Sequence, residues 1–172
     1  MSTSRAPRIY LAGFDVFRTD AVERGEYLKA LCREYGMEGL YPFDNEVVAG
    51  LSPAECAAQI CQLNRVMIRE ADAVLANLNL FRGFEPDSGT TFEVGAAVAL
   101  GKPVWAYFQA QGAMRDWLPG NDQGRDAQGF LIEDFGLPRN LMLACSWAGR
   151  SASVEEAVPA LRRYLECMLP EQ

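Results

Sequence analysis

A chain of 172 residues without a single histidine must do any acid–base or nucleophilic work with carboxylates, phenols or thiols. Two carboxylates stand out by position. Asp87 and Glu93 bracket Ser-Gly-Thr-Thr-Phe, and Glu93 is followed by Val-Gly-Ala-Ala, an odd setting for a charge on a helix packed against a sheet. If a helix begins near Ser88, Asp87 and Glu93 can both face one crevice. Upstream, Phe14 and Phe17 flank Asp15 just after Gly13, and aromatic rings beside a crevice can stack a flat heterocycle. Carboxylates with aromatics and no imidazole suit glycosyl chemistry. One carboxylate oxygen attacks an anomeric carbon through an oxocarbenium-like transition state, and a second acid or hydrogen-bonding group helps the departing group take up its proton. Each residue also has a plainer reading: Asp87 as a helix cap, Glu93 as a solvated helix position, the phenylalanines as packing.

The composition closes other routes. Without histidine there is no Ser-His-Asp or Cys-His machinery and no imidazole metal site, and no acidic cluster has plausible metal-ligand spacing. Neither G-x-G-x-x-G nor a Walker lysine follows Gly13, so no dinucleotide, triphosphate or other cofactor is expected. With 16 basic against 23 acidic side chains and a formal charge of −7, the chain lacks the cationic field that nucleic acid requires. No apolar run approaches the ~18 residues of a membrane span, and MSTSRAPR lacks the apolar centre of a signal peptide. A soluble, cytoplasmic protein is expected. Five cysteines without a C-x-x-C pair read as buried, reduced thiols.

Around these residues the pattern alternates strand and helix. Ile9–Ala12 is a first strand stopped by Gly13. Asp20 can cap a helix to about Tyr35, ended by Gly36, and Gly39–Tyr41 is a brief second strand. Ser52-Pro53-Ala54-Glu55 is a capping box with proline at the first helical position, opening a helix to about Ala71. Asp72–Leu78 reads as a buried third strand. Ser88 or Thr90 can cap a helix ending at Gly101, Pro103–Tyr107 is the fourth strand and Leu141–Cys145 the fifth. A Ser153/Glu156 box opens the last helix, which runs to about Met168. Apolar strands alternating with helices imply one α/β domain over residues 1–172: a doubly wound, Rossmann-like five-stranded parallel sheet with helices on both faces, in the order 2-1-3-4-5. Ligands then sit beyond the carboxyl ends of the strands. Four loops meet there: 13–19, 42–50, 79–91 and 108–140. The last is long enough to be a lid, an oligomer contact or both. Asp72, at the start of its strand, falls at the opposite edge and reads as structural; Trp105, Trp117 and Trp147 read as core or interface.

Five motifs in this order resemble the nucleoside 2-deoxyribosyltransferase family, covering the chain from Ile9 to about Met142. They are Ile-Tyr-Leu-Ala-Gly-Phe-Asp-Val-Phe (9–17), Tyr-Pro-Phe-Asp-Asn-Glu (41–46), Ala-Asp-Ala-Val-Leu-Ala-Asn-Leu (71–78), Asp-Ser-Gly-Thr-x-Phe-Glu-Val-Gly (87–95) and Leu-Pro-x-Asn-Leu-Met (137–142). The resemblance implies a cytoplasmic enzyme that moves 2-deoxyribose between nucleobases by double displacement through a deoxyribosyl-glutamate. Its substrates would be small nucleosides and free bases. It implies Glu93 as nucleophile, Tyr10 as the residue that positions it, and Asp87 as a ligand of the sugar hydroxyls. Phe14 and Phe17 would pack on the base, and Gly13, Asp44 and Met142 would join the substrate-binding set. Asn140 matches an asparagine that reaches into a neighbouring subunit's site, implying a dimer-based homo-oligomer such as a hexamer.

Two positions depart from some members. Asn64 stands where they carry a carboxylic acid that serves the base, and Glu46 where they carry a glutamine that contacts it. An amide is a poor proton donor, which leaves base protonation to water or to Glu46; a carboxyl at 46 favours base edges that donate hydrogen bonds. Some members also end in a residue that enters the site, whereas Met168–Gln172 reads as a frayed helix end. Two other functions use the same residues. One is an N-glycoside hydrolase of 2-deoxynucleosides or their 5′-monophosphates; the other is a non-catalytic nucleotide-sensing module.

Overall fold

A computed structural model describes residues 5–168; of the expected frayed end at 168–172, Met168 is the last residue of a helix and the others lie outside the described residues. Five strands, β1 (Arg8–Ala12), β2 (Glu38–Leu40), β3 (Ala73–Asn77), β4 (Val104–Tyr107) and β5 (Gly149–Ser151), form one sheet in the order β2-β1-β3-β4-β5. Every pairing is parallel, which gives the expected doubly wound arrangement. The helices are α1 (Ala21–Glu34), α2 (Pro53–Glu70), α3 (Ser88–Ala99), the short α4 (Met114–Trp117) and α5 (Leu141–Ala144), and α6 (Val154–Met168).

Strand alternation sorts the core into two halves. Ile9, Leu11, Ala73, Leu75 and Tyr107 point to one face, where Leu28 and Leu31 of α1 and Val158 and Leu161 of α6 cover them. Tyr10, Ala12, Val74, Ala76, Val104 and Ala106 point to the other, under Ile68 of α2 and Val94 and Ala97 of α3. β3, central and wholly buried, is apolar on both faces until Asn77, as a doubly covered strand must be. This parity sets the site: an even-numbered residue of β1 looks toward α3.

The Ser52/Glu55 box forms as expected, with Ser52 accepting from the Glu55 N–H and the Glu55 carboxylate accepting from the Ser52 N–H. At α6, Ser153 Oγ accepts from the Glu156 N–H, while the Glu156 carboxylate accepts from Ala152 N–H, one residue before the box position. Two caps differ. Asp20 makes no side-chain bond to α1; its carboxylate holds Arg18 at 2.7 and 2.8 Å instead. At α3 the cap is neither Ser88 nor Thr90; the plainer reading of Asp87 holds, and it accepts from the Thr90 N–H at 2.8 Å and from Thr90 Oγ1 at 3.0 Å.

The expected fifth strand is corrected. Leu141–Cys145 is a turn of helix opened by Asn140, whose side chain accepts from the Met142 N–H. The edge position belongs to the polar segment Gly149–Ser151, paired with Trp105–Tyr107. A short apolar run has no period by which a helical turn and a buried strand can be told apart. An edge strand, for its part, need not be apolar. Gly149 is required there because a Cβ would stand 2.4 Å from the Trp105 ring.

The cysteines are free, as expected, yet only Cys32 is buried; Cys61 on α2, Cys167 on α6 and Cys145 in the turn after α5 are exposed. Asp72 sits at the amino edge of the sheet, paired with Arg5 at 2.7 Å and accepting from the Arg8 N–H. Trp105 and Trp147 pack on the two cores, and Trp117 lies against Phe84. The long 108–140 segment is folded down by buried Met114, Ile132 and Arg139. Arg139 lies 4.2 Å above Phe108 and donates to the Leu78 carbonyl.

Candidate active site

At the carboxyl edge of the sheet a cavity of about 520 Å³ opens between β1, the turn after β2, and helices α2 and α3. Gly13, Val16 and Phe17 form one wall, Phe43, Asn45 and Val47 another, and Ile60 and Asn64 a third. The start of α3 supplies Asp87, Gly89, Thr90 and Glu93. The cavity thus has an apolar part, made by Val16, Phe17, Phe43, Val47 and Ile60, and an acidic part at Asp87 and Glu93.

Each side chain owes its place to local structure. Tyr10 is fully buried and, by the parity of β1, aims its ring under α3, where its hydroxyl donates to Glu93 Oε1 at 2.5 Å. Only Thr90, Val94 and Ala97 of α3 are buried, a stripe at i, i+4 and i+7. Glu93, beside that stripe, is partly buried with its carboxylate at the cavity. Ala97, small and fully buried among the sheet residues, keeps the helix close to the sheet.

Burial pushes the Glu93 carboxyl up to about 7, since the charged form is desolvated; the Tyr10 hydrogen bond opposes this, the negative charge of Asp87 adds to it, and an Asn64 hydrogen bond opposes it. Burial, then Glu93 itself, drives Tyr10 far above the usual phenol range, so Tyr10 stays a donor. A poorly solvated carboxylate held by one phenol is a good nucleophile toward an electrophilic carbon.

The loop after β1 is anchored from below. Asp15 is buried, with its carboxylate held by Arg24 Nε at 2.9 Å and by Asn77 Nδ2 at 2.8 Å. Gly13 allows the close approach: a Cβ there would lie 2.7 Å from Asp15 Oδ2 and 2.9 Å from Asn77 Cβ. Above the anchor Phe81 stacks on both Phe14 and Phe17, at 4.9 and 5.5 Å between centroids. Phe17 lines the cavity and is largely exposed; Phe14 is held back in the stack.

Of the residues singled out in the sequence, Tyr10, Gly13, Phe17, Asn64, Asp87 and Glu93 come together here. Asp44 and Glu46 do not line the cavity: the chain is extended at Asn45, so alternate residues turn inward, and Asn45 and Val47 are the ones that do. Asp44 is held outside by Lys29 at 2.8 Å, and Glu46 is exposed. Asn140 and Met142 lie across α3, in a separate groove of about 620 Å³ with Val94, Gly95, Val98 and Leu143. Asn140 Nδ2 donates there to Glu133. Sequence reasoning missed Asn45, Val16, Phe43 and Ile60, and the anchor Arg24–Asp15–Asn77. Asn45 was visible only as part of the Asp-Asn-Glu motif, and the apolar residues carry no chemical signal.

Comparison with known proteins places this chain among relatives. A family model for nucleoside 2-deoxyribosyltransferase matches residues 9–142. A 2-desoxiribosyltransferase from Leishmania mexicana is 33% identical, with a TM-score of 0.76 over 92% of this chain and 98% of that one. An uncharacterised protein of Schizosaccharomyces pombe is 32% identical, covering 80% of this chain and 75% of that one. A 2-deoxyribosyltransferase from Bacillus psychrosaccharolyticus, 22% identical with a TM-score of 0.56 over 87% of this chain and 88% of that one, shares the fold.

Proposed function

Because the chain belongs to the nucleoside 2-deoxyribosyltransferase family, we propose that it transfers 2-deoxyribose between nucleobases at Glu93. In the first step a Glu93 carboxylate oxygen bonds to C1′, and the bond from C1′ to the base nitrogen breaks. Its electron pair leaves with the base, which takes up a proton from solvent. In the second step the ring nitrogen of an incoming base attacks C1′, the ester bond returns its pair to Glu93, and the new nucleoside gives up a proton. Tyr10 aims the nucleophile, Asp87 holds the sugar hydroxyls, and the apolar part of the cavity takes the base.

The observation that carries this reading is the single phenol-held, desolvated carboxylate of Glu93 opening into a cavity that is apolar at one side and acidic at the other. The test mixes a 2-deoxynucleoside with a different free base and looks for the exchanged nucleoside. Intact-protein mass spectrometry after brief exposure to a deoxynucleoside should show an added deoxyribosyl group on the peptide containing Glu93. Failure to exchange any purine or pyrimidine pair rejects the proposal, and free sugar appearing without acceptor dependence makes the protein a hydrolase. A 5′-phosphate is disfavoured: Asp87 occupies the Thr90 N–H and hydroxyl at the start of α3 and repels a second anion.

A homo-oligomer is part of the proposal. α2 has one fully buried residue in 18, and apolar side chains stay exposed on α2 (Ile60, Val66), on α3 (Phe92, Val98) and just after it (Leu100), surface that a second copy would cover. Met142, 70% exposed beside Asn140, is then free to reach a partner's cavity.

A further inference from the structure

We propose that Arg24, which lies on α1 outside the cavity, is a positioning residue for the wall that meets the base: through Asp15 it holds Val16 and Phe17 in place. This rests on the reading that the apolar part of the cavity takes a nucleobase. The Asp15 carboxylate is buried. Both its oxygens are engaged, Oδ1 by Arg24 Nε at 2.9 Å and Oδ2 by Asn77 Nδ2 at 2.8 Å. Among the described residues Arg24 is its one ion-pair partner. A carboxylate so engaged is not free to serve as an acid toward the substrate; what it can do is fix the chain that carries it.

Asp15 stands at the root of two loops. In its own loop the next two residues, Val16 and Phe17, line the cavity. In the loop after β3, Asn77 passes the restraint on. Its Oδ1 accepts from the Asn79 N–H at 3.2 Å and from Asn79 Nδ2 at 2.8 Å, and Asn79 Oδ1 accepts from the Gln109 N–H at 3.1 Å. Two residues past Asn79, Phe81 lies in the stack with Phe14 and Phe17. One carboxylate therefore ties down both partners of the stack. Phe17 itself is 60% exposed, so its place depends on the backbone beneath it, on Phe81 and on Arg82, 5.4 Å from its ring centroid, rather than on burial. Arg24 reaches this root from behind: it does not line the cavity, and its guanidinium rests 5.2 Å from the Tyr27 ring centroid. Tyr10 and Glu93 meet on the α3 side of β1, away from the face that α1 covers. A change at Arg24 thus loosens the base wall and leaves the nucleophile where it is.

The test compares Arg24→Met, Arg24→Lys and the double variant Arg24→Met/Asp15→Asn. Methionine keeps an apolar stem but leaves the Asp15 charge buried without its partner, which destabilises the fold. Asparagine at 15 removes that charge, so the double variant carries the test even where Arg24→Met alone does not fold. Thermal melts are read beside kcat and KM for the deoxynucleoside and the acceptor base. We expect Arg24→Met to raise both KM values about three- to tenfold with kcat within about twofold of the parent's; Arg24→Lys, which keeps a cation beside Asp15, should fall between. The double variant should recover melting temperature yet keep the raised KM. In a Phe17→Ala background Arg24→Met should change KM little, since the ring it positions is gone. An unchanged KM in Arg24→Met, a KM that returns to the parent's in the double variant, or a full further rise without Phe17 overturns the proposal. A parent protein that exchanges no bases rejects the transfer reading alone. The same variants are then read by calorimetric binding of free adenine and cytosine, and a parent that binds neither overturns the role of Arg24 as well.

Discussion

As the proposed nucleophile, Glu93 combines two demands that pull against each other. A nucleophile must be ionised, yet it gains reactivity from losing water. With the carboxyl pushed up to about 7, kcat/KM should rise with pH along an acid limb centred near 7, as the deprotonated fraction grows. Replacing Tyr10 by phenylalanine keeps the buried ring but removes the only bond that Tyr10 gives the carboxylate. The limb should then move to higher pH, and the plateau should fall by about ten- to a hundredfold, which a pH–rate series on the variant reads directly. The same burial carries a stability cost of definite sign. The folded-state value lies above the ordinary 4.5, so the stability attached to this group is fully present below about 4.5 and is lost as pH rises through about 7. Glu93→Gln should therefore abolish transfer and raise the melting temperature at pH 8, by up to the equivalent of about 3 kcal/mol. At pH 4.5 its melting temperature should match the parent. A variant less stable than the parent at pH 8 would mean that the carboxylate is not desolvated.

At the scale of the element, α3 shows why function and folding are hard to separate by sequence. Asp87 caps the helix and also faces the cavity. The two roles come apart by substitution. Asp87→Ser keeps an oxygen for the Thr90 N–H, so thermal stability should stay close to the parent while KM for the deoxynucleoside rises. Asp87→Ala should lose about 1 kcal/mol as well. Thermal melts beside steady-state kinetics separate the two. What could be read in advance was what has a local physical signal. The Ser52-x-x-Glu55 box announced α2, and the unbroken apolar run of β3 announced a doubly covered strand, because caps and burial are written in adjacent residues. Leu141–Cys145 misled because five apolar residues fit a helical turn and a strand equally well. The true edge strand, Gly-Arg-Ser, is defined only by its pairing with Trp105–Tyr107. At the site, the motif containing Asp44, Asn45 and Glu46 was legible as a group. Which of the three turns inward depended on the direction in which the chain leaves Pro42, and that goes with its hydrogen bonds to α2, from Asn45 to Asn64 and from the Val48 N–H to Gln59.

For the whole molecule, the sheet separates chemistry from structure by its two edges. The carboxyl edge gathers Tyr10, Gly13, Asp87 and Glu93, while the amino edge holds Asp72 in a surface pair with Arg5 and under the Arg8 backbone N–H. Yet Asn140 and Met142 lie on the far side of α3 from their own Glu93. If they serve a site, it is a partner's. An assembly of two-fold pairs would then build every site from Glu93 of one subunit and Asn140 of another. That arrangement has an arithmetic consequence. Glu93→Gln and Asn140→Ala homo-oligomers should each be nearly inactive. After equal amounts are unfolded and refolded together, half the pairs are mixed, and each mixed pair holds one site with both native residues. Activity should return to about a quarter of the parent's, whereas sites complete within one chain would recover nothing beyond the sum of the two separate preparations.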